Sequence, residues 1–258
     1  MNLWVGKSIE LANKKAYLDR LFEIYPVEVG DNRTIPEEIK NEIKLSIKNK
    51  NRTALIEVLL KLPRFPVDDP YIAALRSHSH LFKKNPKTIK RIGNKLITLG
   101  QDVILELSSK PGSASRRLGH TFRQWLPKLK YPFLEPDEFK NYNKIAFLSG
   151  SDSKLKHFAK KELGVKNLRK GIDFILKINN KFILGEAKFL TTSGGTQNNQ
   201  FNSAIDIAKI NKDKAFGLAV LDGIVWFDSN IYMHRAIKNF KGAALSALLL
   251  KDFIKNFK

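Results

Sequence analysis

The chain has 258 residues, a formal net charge of +21 and no cysteine. Without cysteine, a disulfide scaffold, a cysteine-ligated zinc site, an iron–sulfur cluster and thiol catalysis are all excluded. Hydrophobic residues make up 43% of the chain, which excludes a disordered basic tail. A sequence pI of about 10.0 is typical of a protein that binds a polyanion, above all nucleic acid.

The positive charge is concentrated in two blocks of the sequence. Residues 1–50 carry nine basic and eight acidic side chains. Residues 76–130 carry thirteen basic and two acidic side chains, and residues 151–200 carry ten basic and four acidic ones. This uneven distribution favours a binding surface over general solubility, and an anionic membrane surface is the alternative partner. The longest apolar stretch, Gly242 to Leu250, is too short to span a bilayer. The N-terminal residues lack the apolar core of a signal peptide, so we expect an intracellular protein.

The first part of the chain has the pattern of a mostly helical region. Helices are predicted over residues 13–25, from Pro36 onwards, over 53–62 and over 86–107, with Gly93 and Gly100 as weak points in the last of these. The prolines between residues 63 and 70 predict an extended loop. A further helix is expected to begin at Ser113 or Ser115 and to reach Leu126.

The helix that reaches Leu126 carries polar side chains on one side. Arg116, His120 and Arg123 follow the spacing i, i+4 and i+7 and share a face, with Arg117 and Gln124 beside them. Arginine and glutamine form bidentate contacts with guanine and adenine edges, so these side chains are candidates for DNA contact. A solvated basic face on an ordinary helix is the alternative. The stripe expected to face the core consists of Leu118, Phe122 and Trp125 or Leu126.

A linker-like region over residues 128–143 precedes a second part in which strands and helices alternate. The elements expected there are a strand over 145–148, a helix over 154–163, a hairpin over 171–189, a helix over 197–210, a strand over 214–221, a turn at Asp222-Gly223 with a returning strand over 224–227, and helices over 232–240 and 243–257. The sequence therefore predicts two domains. Residues 1–144 form a mainly helical region for recognition or dimerisation, and residues 145–258 form an α/β domain.

The hairpin over residues 171–189 places acidic side chains in an unusual position. Asn179-Asn180 lies between two apolar runs, and asparagine tolerates the positive φ of a two-residue turn. If the turn lies there, residue 178 faces residue 181, and Asp173 lies directly opposite Glu186. Lys188 is two residues further along the same strand and therefore shares the face of Glu186.

Two carboxylates facing each other on a hairpin destabilise it unless something compensates their charge. A divalent cation between Asp173 and Glu186 would do so, and two carboxylates with water and phosphate oxygens are the usual environment of Mg²⁺. Lys188 beside them could stabilise a developing anion or orient and deprotonate a water molecule. An exposed hairpin face that serves solubility is the alternative. Against it, Gly185 removes a side chain at a crowded point, and Ala187 and Phe189 are expected to point to an opposite, buried face.

Asp173 followed by Glu186-Ala187-Lys188 resembles the PD-(D/E)xK nuclease signature, with Ile172 in place of its proline. The runs Gly185 to Phe189 and Gly194 to Phe201 are similar to the catalytic core of type II restriction endonucleases, and the resemblance covers roughly residues 145–225. It implies an α/β core with a mixed central sheet flanked by helices. It also implies hydrolysis of phosphodiester bonds in double-stranded DNA at a specific short sequence, with Mg²⁺ as cofactor and Mn²⁺ able to substitute.

The same resemblance suggests further roles and partners. It implies catalysis by Asp173, Glu186 and Lys188, with the two acids binding the metal, in a homodimer of the prokaryotic cytoplasm whose host protects its own DNA with a matching methyltransferase. Glu162 is a candidate accessory acid, although a salt bridge at the helix edge explains it equally well. Further candidates for positioning water or contacting phosphates are Gln197, Gln200, Thr191, Thr192, Ser193, Thr196 and the segment Ser113–Arg117.

Two other functions remain open from the sequence. A repair or junction-resolving nuclease could carry the same hairpin on a different DNA substrate. A DNA-binding protein without catalysis could carry the motif by chance, because a D…ExK pattern is short.

Overall fold

The computed structural model describes residues 1–26, 32–111, 114–166, 168 and 171–257. The chain divides into two compact units, one formed by Met1–Val27 with Ala114–Lys258 and the other by Glu28–Ser113. This division differs from the predicted boundary after residue 144. The first helices and the helix that reaches Trp125 belong with the sheet, because Leu21 and Phe122 are buried in the same core as the strands.

Thirteen α-helices occur within the described residues. In chain order they are α1 Leu3–Ala12, α2 Tyr17–Ile24, α3 Glu37–Lys48, α4 Arg52–Leu60, α5 Ile72–Ser77, α6 Leu81–Lys84, α7 Pro86–Ser109, α8 Ala114–Trp125, α9 Pro136–Asn141, α10 Asp152–Lys161, α11 Gly195–Ala208, α12 Tyr232–Lys238 and α13 Leu250–Asn256. In the part of the chain that the structure covers, no helix is long and apolar enough to cross a membrane.

The unit Glu28–Ser113 contains α3 to α7 around a core of its own. Its helix α3 begins directly after Pro36, with two glutamates in the first turn, as the sequence predicts. Its longest helix, α7, is kinked at Gly100, where φ is 75°. Buried Leu55, Leu59 and Leu96 lie in the core of this unit. The helical reading of this part of the sequence is thus confirmed.

The other unit is built on a six-stranded mixed sheet whose strands follow one another in chain order. They are β1 Phe133–Leu134, β2 Ala146–Leu148, β3 Phe174–Ile178, β4 Lys181–Leu190, β5 Ala215–Gly223 and β6 Ala243–Leu245. The pair β1 and β2 is parallel. Strand β3 is antiparallel to both of its neighbours, β2 and β4. Strands β4, β5 and β6 are parallel to one another. The predicted α/β class with a mixed sheet is confirmed.

Alternate residues of the central strands enter two different apolar clusters. On β3, Phe174 and Leu176 belong to one cluster and Ile175 to the other, and on β4 the neighbours Ile183 and Leu184 divide in the same way. This alternation is the period of two that a strand buried on both sides requires. Helices α8 and α11 pack against β4, and α11 also packs against β5.

Three sequence predictions are wrong in this unit. The expected linker over 128–143 contains β1 and α9, and β1 pairs with β2 in the sheet. Asp222-Gly223 is the end of β5 instead of a turn, and a 3₁₀-helix, Ile224–Trp226, stands where a returning strand was expected. The predicted helix over 243–257 begins instead with β6, because residues 243–245 pair with β5, and only its second half is α-helical.

Candidate active site

The hairpin of β3 and β4 has the register that the sequence predicts. Its turn is Asn179-Asn180, with φ of 54° at Asn179, and Ile178 pairs with Lys181. The ladder continues to the pair Phe174 and Gly185, which brings Asp173 to the end of β3 beside Glu186. The N–H of Asp173 donates to the carbonyl of Gly185 at 2.8 Å.

Gly185 is required by the close approach of an aromatic ring. A Cβ atom at this position would lie 2.0 to 2.6 Å from ring atoms of Phe174, its partner across the ladder. Real carbon atoms do not approach so closely, so any side chain here would displace the ring. The residue before Glu186 thus keeps the two strands in contact at the point where the acids lie.

Asp173, Glu186 and Lys188 converge at the end of the hairpin. The Lys188 ammonium lies 2.9 Å from Oε1 of Glu186 and 3.7 Å from Oδ2 of Asp173. Because one cation contacts both acids, the two carboxylates face the same small volume. Ala187 points away from it into the apolar cluster on the other face of the sheet, and Phe189 packs against that cluster, as expected.

Glu186 is 2% exposed, and its charge is nevertheless compensated. In addition to the Lys188 ammonium, the hydroxyl of Ser203 on α11 lies 3.1 Å from both carboxylate oxygens of Glu186. A buried carboxylate needs such partners because an unpaired charge away from water is costly. Helix α11 therefore fixes the orientation of this side chain.

Asp173 is held by two different elements, β4 and α8. Its Oδ2 accepts a hydrogen bond of 2.8 Å from the N–H of Ala187 on β4. Its Oδ1 accepts two hydrogen bonds from Arg123 on α8, of 3.1 Å from Nε and 2.8 Å from Nη2. The remaining nitrogen of that guanidinium, Nη1, forms an ion pair with Asp152 at the start of α10. Partial burial lowers the pKa of Arg123, but the bonds to the two aspartates outweigh this and raise it, so the group stays charged.

The carboxylates of Asp173 and Glu186 are ligands of the type that a hard divalent cation prefers. Asp173 and Glu186 offer carboxylate oxygens at one point, and oxygen ligands are the preference of Mg²⁺. Among residues that the structure describes, no group of three or more His, Cys, Asp or Glu side chains is arranged to hold a metal ion. The remaining ligands would therefore come from water, backbone or substrate oxygens, as is usual for Mg²⁺.

The three residues predicted as accessory groups, Glu162, Gln197 and Gln200, lie on or next to the helices α10 and α11. Glu162 forms an ion pair of 2.8 Å with Lys140, which lowers the pKa of Glu162, so a salt bridge, the role expected as its alternative, is present. Gln197 accepts a hydrogen bond of 3.2 Å from the N–H of Thr191 and so holds the loop after β4. Gln200 lies one turn before Ser203 on α11.

The hydroxyl residues of the loop after β4 and of the first turn of α11 are exposed. They are Thr191, Thr192, Ser193 and Thr196. Helix α11 begins at Gly195, two residues before the predicted start at residue 197, and Gly194 is at its N-cap position. The side chain of Asn198 approaches the N–H of Gly194 at 3.4 Å.

Helix α8 shows the predicted division between core and polar side chains. Leu118, Phe122 and Leu126 are buried, whereas His120 and Gln124 are exposed and their side-chain nitrogens lie 3.4 Å apart. Arg123 contacts Asp173. Ser113 and the side chains of Ser115, Arg116 and Arg117 lie outside the described residues.

Two residues at the centre were missed by sequence reasoning. Ser203 lies between the apolar positions of α11, and one hydroxyl beside an apolar stripe gives no signal by itself. The second residue, Asp152, lies two positions before the helix predicted over residues 154–163. Its place in the first turn of the helix before the hairpin is the signal that could have identified it.

A second buried carboxylate lies at the end of β5, one residue beyond the partner of Lys188. Asp222 is fully buried and accepts hydrogen bonds from Tyr17, Tyr25, Ser246 and the N–H of Ala247. Burial raises its pKa to about 7, although the hydrogen bonds oppose this shift. The cluster joins β5 to the N-terminal helices and to the segment after β6.

Comparison with protein families assigns the chain as a whole. A family described as Tsp45I type II restriction enzyme matches residues 2–257. The chain belongs to this family. It matches none of the curated proteins or solved structures compared with it.

The Tsp45I family match confirms the enzyme class that the hairpin suggested. A type II restriction enzyme is a site-specific deoxyribonuclease, so the substrate of this member is DNA. Such enzymes generally use a divalent metal ion. The basic composition is explained by this polyanionic substrate.

Proposed function

We propose that this enzyme hydrolyses phosphodiester bonds of double-stranded DNA at a specific short sequence, with Mg²⁺ as cofactor, on a PD-(D/E)xK core. The observation that carries the proposal is the convergence of Asp173 and Glu186 on the ammonium of Lys188 at the end of one hairpin. The family match supports the reaction, and the convergence supports the residues that perform it.

In this proposal Asp173 and Glu186 hold the metal ion. The ion, when bound, lowers the pKa of a water molecule and neutralises charge on the phosphate. Ser203 and the N–H of Ala187 keep the two carboxylates in place. These contacts come from α11 and β4, which are rigid elements, so the acids are preorganised.

Lys188 has a different role because its ammonium points at the space between the acids. A lysine there can donate a hydrogen bond to a phosphate oxygen or orient the attacking water. Its side chain is 25% exposed, so it can exchange its bond to Glu186 for one to substrate. We expect it to be essential for cleavage and dispensable for binding.

DNA contacts are proposed for two surfaces, each within one unit. The first is α8 with the loop after β4, which carries Arg116, Arg117, His120, Arg123, Gln124 and the hydroxyl residues of that loop. The second is the exposed set Lys83, Lys84, Lys87 and Lys90 on α6 and α7, none of which pairs with a carboxylate in the described part of the chain. Unpaired lysines at this density are typical of phosphate contacts.

A homodimer and a partner methyltransferase complete the proposal. A twofold dimer would place one hairpin on each strand of a symmetric site, so that both strands are cut. Sedimentation of the enzyme alone and with a DNA duplex containing the site tests the dimer. Methylated and unmethylated duplexes of the same sequence test the protection.

The decisive experiment compares Lys188→Ala with Lys144→Ala, a matched loss of an exposed lysine just before β2. We expect Lys188→Ala to abolish cleavage of a sequenced plasmid in Mg²⁺ while DNA binding in Ca²⁺ persists, and Lys144→Ala to cut normally. In the wild type, Mn²⁺ should support cleavage when it replaces Mg²⁺. Normal cutting by Lys188→Ala would contradict the assigned site.

The pattern of fragments separates the remaining alternatives. Discrete fragments with uniform ends indicate sequence-specific cutting, whereas a smear or cleavage confined to branched substrates indicates a repair or junction-type nuclease. Absence of any metal-dependent cutting would leave a protein that only binds DNA.

A further inference from the structure

Arg123 binds one of the two carboxylates that are proposed to hold the metal ion. Its guanidinium bridges Asp173 and Asp152, with two nitrogens on Oδ1 of Asp173 and the third on Oδ1 of Asp152. The side chain of Asp173 is 14% exposed and that of Arg123 is 34% exposed. This is a charge-assisted fork of the kind that arginine forms with carboxylates and equally with phosphates.

Both oxygens of Asp173 already have partners. The two bonds from Arg123 occupy Oδ1, and the Ala187 N–H occupies one side of Oδ2, with the Lys188 ammonium 3.7 Å away. A bound Mg²⁺ needs such an oxygen at about 2.0–2.1 Å. An ion that binds Asp173 through Oδ1, or through both carboxylate oxygens, therefore has to displace the guanidinium.

The balance of charge around Asp173 also favours displacement of a cationic side chain when a metal ion binds. Among the ion-paired side chains that the structure describes here, Asp152, Asp173 and Glu186 carry three negative charges, and Arg123 and Lys188 carry two positive ones. Adding a divalent ion while both cations stay would turn a slight negative excess into a positive one, and like charges at this distance repel. A DNA phosphate arriving with the ion would give the displaced guanidinium a new partner of the same geometry.

We propose that Arg123 takes the place of the metal ion in the metal-free enzyme and moves from Asp173 to a DNA phosphate when the ion binds. The exchange couples metal binding to DNA binding: each ligand strengthens the other through one side chain. The free enzyme thereby keeps its metal-binding carboxylate neutralised until substrate is present. This inference rests on the proposed role of Asp173 as a metal ligand.

The test measures Ca²⁺ binding by calorimetry with and without a cognate duplex, which requires no catalysis. The variants are Arg123→Gln, Arg123→Lys and the charge-matched control Lys128→Gln, which removes an exposed lysine on the next helical turn. We expect Arg123→Gln without DNA to bind Ca²⁺ roughly tenfold more tightly than the wild type, because a charged hydrogen-bonding competitor is gone. The factor by which DNA strengthens Ca²⁺ binding should fall in this variant and stay unchanged in Lys128→Gln.

The outcomes separate this inference from the proposed function. If Arg123→Gln binds Ca²⁺ no more tightly than the wild type, Arg123 only supports Asp173 and the exchange is refuted. If Asp173→Asn binds Ca²⁺ as well as the wild type, the metal site itself is misassigned. Should Arg123→Gln fail to fold, as judged by circular dichroism, Arg123→Lys decides the matter, with an expected Ca²⁺ affinity above that of the wild type because one ammonium cannot form the fork.

Discussion

Asp222 makes the stability of the sheet-containing unit depend on pH in an unusual direction. Buried carboxylates with cationic partners gain stability as pH rises, but Asp222 is surrounded by hydroxyls and a backbone N–H, with its pKa raised from 3.8 to about 7. The folded protein therefore holds a proton there that the unfolded chain releases. Asp222 contributes its full stabilisation below about pH 4, and this is lost as pH rises towards 7.

The size of the effect follows from the displacement of the pKa. A change from 3.8 to about 7 corresponds to on the order of 4 kcal/mol between the acidic and neutral limits. Asp222→Asn removes the titration and keeps the shape. The amide can accept from Tyr25 and Ala247 with its oxygen and donate to the hydroxyls of Tyr17 and Ser246 with its nitrogen.

Urea unfolding at a series of pH values from 4 to 8 measures this difference. The three tryptophans, Trp4, Trp125 and Trp226, all lie in the unit that contains Asp222, so their fluorescence reports on that unit. Contributions from groups that titrate alike in both proteins cancel when the two free energies of unfolding are subtracted. The free energy of unfolding of the wild type minus that of Asp222→Asn should therefore fall by several kcal/mol from pH 4 to pH 8. A difference that stays constant with pH would refute the assignment of a proton to Asp222.

Three further substitutions test the surroundings of the hairpin. Gly185→Ala should lower the free energy of unfolding by about 1–3 kcal/mol in urea, because its Cβ meets the Phe174 ring; an unchanged midpoint would contradict the close approach. Ser203→Ala should slow single-turnover cleavage roughly tenfold with DNA binding in Ca²⁺ retained, since Glu186 loses its hydroxyl partner; a normal rate would mean that Lys188 alone orients that acid. Glu162→Gln should cut DNA within about twofold of the wild-type rate, because the pair with Lys140 is a partly exposed ion pair; loss of cleavage would instead make Glu162 an accessory acid.

The hairpin could be predicted from the sequence because its geometry is local. A two-residue turn fixes the register of every following pair, so the neighbourhood of Asp173 and Glu186 follows from the position of Asn179. The side of Lys188 then follows from the period of two along the strand. The helix start after Pro36 and the weak point at Gly100 are local in the same sense.

The elements that were misread depend on partners far away in the sequence. Residues 243–245 have the apolar character of a buried helix, and they form a strand only because β5 offers an unpaired edge. Asp222-Gly223 has the composition of a turn, yet Asp222 stays in β5, since Tyr17, Tyr25 and Ser246 satisfy its carboxylate in the core. Local propensity cannot anticipate hydrogen bonds from residues about 200 positions away.

The same distinction explains what was missed in the active site. The two acids and the lysine that are proposed to be catalytic lie within sixteen residues of one another, but the side chains that hold the acids come from α8 and α11. The sequence places Arg123 on a polar helix face that is predicted to contact DNA. Only the fold shows that its guanidinium donates to Asp173. A sequence motif thus identifies the groups that are proposed to perform the chemistry, whereas the cation and the hydroxyl that balance and orient their charges are brought to them by tertiary contacts alone.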